Sequence, residues 1–167
     1  MPVSSKIALS EAQLDELMLS CWNMRMATLN ANSSINLTPM WFGWCNGMIY
    51  TFGRGQKVQN LRRNTECSIV VDRNEVYSEL QAATFQGNAI ILEDADAELG
   101  DRHLPEVRRQ MGIKYAEGRD GRQNHEEQKE PTPYRSSASR NSNRWIVFTP
   151  KRLVSWDNFK LADLAKK

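Results

Sequence analysis

The chain has 167 residues, with 22 Lys and Arg against 20 Asp and Glu, a formal net charge of +2. That length suits a single domain over residues 1–167, of a size that buries about 70% of its unfolded surface, and argues against a second core. The near-balanced charge disfavours a general nucleic-acid binder, and 40% apolar with 25% charged residues excludes a wholly disordered chain.

No apolar run approaches the roughly 20 residues that cross a bilayer, so no membrane association is expected. Glu11, Asp15 and Glu16 come too early for a signal-peptide core. Cys21, Cys45 and Cys67 are far apart, odd in number and without a CxxC pair. They read as small buried hydrophobes in a reducing cytoplasm, with no metal site expected.

Ser10 opens a first helix, with Gln13 at the capping-box position and Glu11 favourable to the dipole. Leu14, Leu17, Met18, Cys21 and Trp22 recur at helical spacing as one apolar stripe. Met24 to Leu29 reads as a strand, residues 30–34 as a turn, and Ile35 to Cys45 as one long second strand. Asn46-Gly47 predicts a hairpin into a third strand, Met48 to Phe52. Lys57 to Asn64 reads as a short helix with Val58 and Leu61 inward. Strands are predicted at Cys67 to Asp72 and at Leu80 to Leu92, with Gly87 marking a bend or bulge. A helical stretch from about Ala95 to Ala116 is interrupted at Pro105. Trp145 to Phe148 and Leu153 to Trp156 are the last predicted strands.

Residues 119–144 contain no Val, Ile, Leu, Met, Phe or Trp and read as a polar loop, either a mobile surface loop or a lid that orders on ligand binding. About six antiparallel strands joined by tight turns, with few helices, need closure to remove exposed edges. The expected fold is therefore mainly β (α+β), a six-stranded antiparallel small barrel with flanking helices. Met40 to Trp44 is apolar on both faces, so a helix or a second subunit should cover its outside.

The segment from Gly53 to Thr65 carries Arg54, Lys57, Arg62 and Arg63 and no acid. Its two glycines allow close backbone approach, and Lys57 stands at a helix start, where free amides and the dipole favour an anion. These features suggest a phosphate cradle of Lys57, Gln56, Asn60 and Arg54, against the alternative of a solvated basic helix face. Arg25, in Arg25-Met26-Ala27-Thr28, is a charge inside an apolar strand and needs a partner, for which phosphate suits its planar fork. Pro39, within Thr38-Pro39-Met40-Trp41-Phe42, removes a ladder donor and leaves backbone free for a flat heteroaromatic.

Six motifs follow in order: Arg-x-Ala-Thr-Leu from Arg25, Thr-Pro-Met-Trp-Phe from Thr38, Asn-Gly-x-Ile-Tyr-Thr-Phe from Asn46, Lys-Val-x-Asn-Leu-Arg-Arg from Lys57, Phe-Gln-Gly-Asn-Ala from Phe85, and Pro-Lys-Arg-Leu-Val-Ser-Trp-Asp from Pro150. From about Met24 to Phe159 this order resembles the pyridoxamine 5′-phosphate oxidase-like, FMN-binding split-barrel family. The resemblance implies a split barrel and a homodimer with two flavin sites at the subunit interface. It implies that Arg25 and Lys57 hold the phosphate, helped by Thr51 and Gln56. Met26, Ala27, Thr28, Pro39, Met40 and Trp41 would follow the isoalloxazine and ribityl chain, with Tyr50 and Gln86 as near neighbours. Trp156 would approach from the partner chain.

The match has departures. Asn30 stands where the oxidase proper has a Lys, and its Arg-rich motif has no counterpart after Trp156, so oxidation of pyridoxamine phosphate itself is not expected. The Ser-Trp-Asp ending at Asp157 and the Thr38–Phe42 strand resemble the branch that includes users of the deazaflavin F420.

Three functions compete. One is a flavin (FMN) or F420-dependent oxidoreductase acting on a small organic substrate, which needs no obvious acid or base because the cofactor carries the chemistry. This agrees with only two histidines, His103 and His125, both read as surface residues. The second is a non-catalytic flavin or haem binding or storage protein. The third, a single-strand nucleic-acid binder, is disfavoured because the cations are clustered and not spread along a groove.

Overall fold

The computed structural model of the chain describes residues 5–116 and 143–164. The polar loop expected at 119–144 falls almost wholly outside the described residues. Ser10 caps helix α1 (Glu11–Ser20) as its sequence predicts: its hydroxyl accepts from the Gln13 amide while the Gln13 side chain accepts from the Ser10 amide. Leu17 and Met18 on α1, and Cys21 just after it, are buried, while Trp22 stays half exposed beyond the helix end.

The β1 strand (Met24–Leu29) alternates buried and half-buried positions. The predicted long second strand is two strands, β2 (Ile35–Met40) and β3 (Phe42–Cys45), broken at Trp41. Thr51 explains the break: its buried hydroxyl donates to the Trp41 carbonyl at 2.7 Å, taking an acceptor that a continuous ladder would use. A turn with Asn46 and Gly47 at φ 51° and 72° leads to β4 (Met48–Gly53). Then come α2 (Gln56–Arg63), β5 (Glu66–Arg73) and β6 (Gln81–Leu92). Pro105 does not interrupt a helix. It sits in the first turn of α4 (Leu104–Lys114), where a missing amide costs nothing, after the separate α3 (Ala95–Gly100).

The last two predicted strands are one, β7 (Arg144–Asp157), with a register shift opposite Gln86 and Gly87. The bulge absorbs the Thr149-Pro150-Lys151 segment that the sequence reads as a break. A further helix, α5 (Phe159–Leu164), and single 3₁₀ turns at Ser5–Ile7 and Tyr77–Glu79 carry no sequence expectation.

The strands form one seven-stranded antiparallel sheet in the order β2-β1-β5-β6-β7-β4-β3, not six. Flat, its edges β2 and β3 would lie about 29 Å apart at ~4.8 Å per strand. Yet only Trp41 separates them in the chain, so the sheet must curl until its edges meet. They meet without a shared ladder, and the barrel is split there.

Inside the curl, Met26, Ile69, Val71, Phe85, Ile146 and Phe148 pack with Leu17 and Met18 of α1 and Val58 and Leu61 of α2. Outside β4, β6 and β7, a second cluster packs Tyr50, Leu92, Trp145 and Val147 against Leu104 and Val107 of α4. The outside of β3 is thus covered by a helix: a Cβ on Gly43 would meet Val107 Cγ1 at 2.8 Å. Among the described residues the outward face of β2, β1 and β5 has no such cover, and Ile35 and Leu37 stand 71% and 63% exposed.

Candidate functional site

At the α2 N-terminus, β4 ends on Gly53, and Gly55 takes the N-cap with φ 79°, a conformation that glycine adopts freely. No side chain caps this helix, and its first turn holds no acid. The amides of Gln56 and Lys57 have no hydrogen-bond partner among the described residues. Lys57 Nζ donates to the Arg54 carbonyl at 3.0 Å. Gly53 gives the lysine stem its room: a Cβ there would lie 2.9 Å from Met40 Cε and 3.5 Å from Lys57 Cδ. Desolvation, and then the neighbouring Arg54 cation, lower the Lys57 ammonium from its usual range. Two cations and free amides thus crowd one point with no anion beside them among the described residues.

Asn60 sits fully buried one turn further along α2. Its Nδ2 donates to Thr28 Oγ1 (3.0 Å) and Asn30 Oδ1 (2.8 Å), and its Oδ1 accepts from Gln56 (2.8 Å) and Arg63 (2.6 Å). The Asn60 Nδ2 therefore ties α2 to the end of β1, while its Oδ1 is taken by Gln56 and Arg63 of α2 itself.

The other expected site residues divide among four places. Met40, Trp41 and Thr51 lie with Lys57 along the split, joined by the Thr51 to Trp41 bond and the Met40 contact at Gly53. Ala27 and Gln86 face outward, lining a cavity of about 530 Å³ that Thr28 also borders. Arg25 also faces outward, pairs with Asp72, and lies opposite the exposed Pro39. Trp156 lies on this outer face too, opposite Ala82. Met26 is buried in the barrel core, and Tyr50 in the second cluster, its hydroxyl donating to Asp101 at 3.2 Å.

Tyr115 was not singled out by sequence reasoning. Its ring stacks flat on Trp41, centroids 4.3 Å apart and planes 2° apart. Its hydroxyl accepts from the Phe42 amide at 2.9 Å and lies within donating distance of the Trp22 and Phe42 carbonyls. It thereby fixes the Trp41 ring beside the split. A lone Tyr closing a helix gives no sequence signal for this.

None of the cysteines is poised to react. Burial raises Cys21 and Cys45 and pushes Cys67 up to about 12, so the thiolate is disfavoured in each. His103 contacts Cys45 Sγ at 3.8 Å and is partly covered, while His125 lies outside the described residues. Among the described residues no helix is long and apolar enough to cross a membrane.

No family model matches the sequence, and no curated protein matches it. Solved structures do match. The conserved hypothetical protein Rv2991 from Mycobacterium tuberculosis is 24% identical, with a TM-score of 0.72, covering 97% of this chain and 93% of that one. HutZ, the haem storage protein from Vibrio cholerae, is 18% identical with a TM-score of 0.60, covering 87% of this chain and 94% of its own. An FAD-binding protein from Mesorhizobium loti is 12% identical with a TM-score of 0.61, covering 89% and 93%. At these identities the likeness is one of fold. Together with the strand order, it shows that the chain has the split-barrel fold of the pyridoxamine 5′-phosphate oxidase-like proteins.

Proposed function

We propose that this chain binds FMN and serves as a flavin-dependent oxidoreductase for a small organic substrate, other than pyridoxamine phosphate. The observation that carries the reading is the α2 N-terminus, where Lys57, Arg54 and two unpartnered amides converge with no acid in the turn. A phosphate there would offset the repulsion between the two cations and accept from the amides. Thr51 and Asn60 would shape this end of the site through Trp41 and Gln56, since their own polar groups are committed. Arg25, held by Asp72, would have to exchange that partner to reach a phosphate.

The hydride chemistry would belong to the bound flavin. The chain's part is to hold the phosphate, to present the Trp41 ring at the split, and to exclude water. We place the ring system along Pro39, Met40 and Trp41, and a second copy of the chain over the exposed face of β2, β1 and β5. Leu37, Pro39 and Val70 would then be buried in a homodimer, with Trp156 near its margin.

An absorption spectrum of the purified protein, followed by mass spectrometry of anything released on denaturation, tests the cofactor. A flavin spectrum and a released mass of FMN are expected. F420 in its place would keep the phosphate site and change the electron donor. A haem band with no flavin would favour the storage reading, which the likeness to HutZ supports.

A further inference from the structure

The end of β4, the start of β7 and the last turns of α4 enclose a cavity of about 310 Å³. The sheet lines it with rings. Phe52 pairs with Trp145 across β4 and β7, and the two centroids lie 5.2 Å apart. Trp41, stacked on Tyr115, forms another side. The helix lines it with one stripe: Arg108, Met111, Gly112 and then Tyr115, at the spacing i, i+3, i+4 and i+7.

Packing explains neither Gly112 nor the Trp145 indole. A Cβ on Gly112 would meet nothing within 4 Å, and its φ is not in the left-handed region, so neither space nor backbone calls for glycine. Glycine inside a helix is destabilising relative to alanine, and here it leaves the cavity open. Trp145 is 7% exposed, yet its indole N–H has no hydrogen-bond partner among the described residues. Unlike the Gln110 Oε1, this unpartnered atom is not sealed from solvent.

The charge in the wall is already balanced. Arg108 stands 5.6 Å from the Trp145 ring centroid and donates to the buried Glu98 carboxylate at 2.6 Å. The Tyr115 hydroxyl is engaged by the Phe42 amide. Among the described residues the walls therefore offer ring faces and an indole donor, with no acid. A cation would meet the Arg108 guanidinium, and an anion would be desolvated without a free counter-charge.

We propose that this pocket binds a neutral, planar aromatic compound of about two fused rings that carries a hydrogen-bond acceptor. The ring system lies among Trp41, Phe52 and Met111, and the acceptor takes the Trp145 N–H. Only Trp41 also belongs to the proposed cofactor site, and the pocket lies under α4, away from the face of β2, β1 and β5 given to the second copy. The inference therefore stands apart from the flavin reading.

Isothermal titration calorimetry of the full chain with coumarin, a neutral two-ring lactone, tests it. Binding is expected. Gly112→Leu, which fills the cavity and favours the helix, should weaken it at least about tenfold without loss of stability in urea. Trp145→Phe, which keeps a ring and removes the donor, should weaken it about three- to tenfold. Octahydrocoumarin, with the carbonyl but no flat ring, should bind at least about tenfold more weakly. Lys57→Ala should leave coumarin binding unchanged, whatever it does to FMN. Absence of coumarin binding, or unchanged affinity in Gly112→Leu, overturns the proposal. So does tighter binding of the anion coumarin-3-carboxylate, which would require a free counter-charge. Release of bound flavin by coumarin, or loss of coumarin binding in Lys57→Ala, overturns it too, by assigning the ligand to the cofactor site.

Discussion

Lys57 and Lys114 are both half-buried lysines, yet their surroundings differ in kind. Lys57 faces free amides and Arg54, whereas Lys114 Nζ lies 4.0 Å from the Phe42 ring centroid and donates to the Met18 carbonyl. The first arrangement lacks an anion; the second is a completed packing contact. Lys57→Ala is therefore expected to weaken FMN binding by about 1.5–3 kcal/mol, read by fluorescence titration. Unchanged affinity would place the phosphate elsewhere. Burial lowers Lys114 to about 8, from an ordinary 10.5, despite the attraction of Cys21. The unfolded chain therefore binds the proton more tightly than the folded one. Its penalty is fully present below about pH 8 and is relieved as pH rises towards 10.5. Urea unfolding of the wild type, relative to Lys114→Met, should show stability gained between about pH 8 and pH 10.5. A constant difference would remove the charged lysine from the account.

At the scale of elements, the bulge in β7 and the break at Trp41 are both set by contacts remote in sequence. Gly87 faces the Thr149 carbonyl, and Thr51 reaches the Trp41 carbonyl. Gly87→Ala should cost about 1–3 kcal/mol or more, because backbone and not a flexible side chain must move. Chemical denaturation measures this, and a loss below about 0.5 kcal/mol would show that the strand relaxes freely. The sequence marks Gly87 as a bulge. It does not show that β7 runs on through Pro150, because a proline at a bulge and a proline at a strand end look alike. The break inside the second predicted strand is equally hidden, since residues on both sides of Trp41 are apolar and β-prone.

On the scale of the whole molecule, the proposed assembly turns on one face. Ile35, Leu37 and Pro39 on β2 are exposed beside Val70, whereas the outside of β3, of β4 and of the paired ends of β6 and β7 at Leu92 and Trp145 carries α3 and α4. Sedimentation velocity should find a dimer. Leu37→Glu should shift it towards monomer, because a desolvated carboxylate in an apolar interface has no partner. A wild-type monomer with a bound flavin would refute the interface placement.

Local chemistry in the sequence determined the parts. The Ser10 capping box, the Asn46-Gly47 turn, the first strand and the basic α2 start each follow from residues within a few positions of one another. The order of the six motifs pointed to the split barrel. Only the tertiary structure decided how the expected site residues divide: Lys57 with Met40 and Trp41 at the split, Arg25 to Asp72, Tyr50 to Asp101, and Gln86 to a groove shared with Arg152. The physical reason is that curling a seven-stranded sheet brings together residues far apart in the chain. Strand alternation then sends neighbours such as Met26 and Ala27 to opposite faces, and neither effect is written in spacing alone.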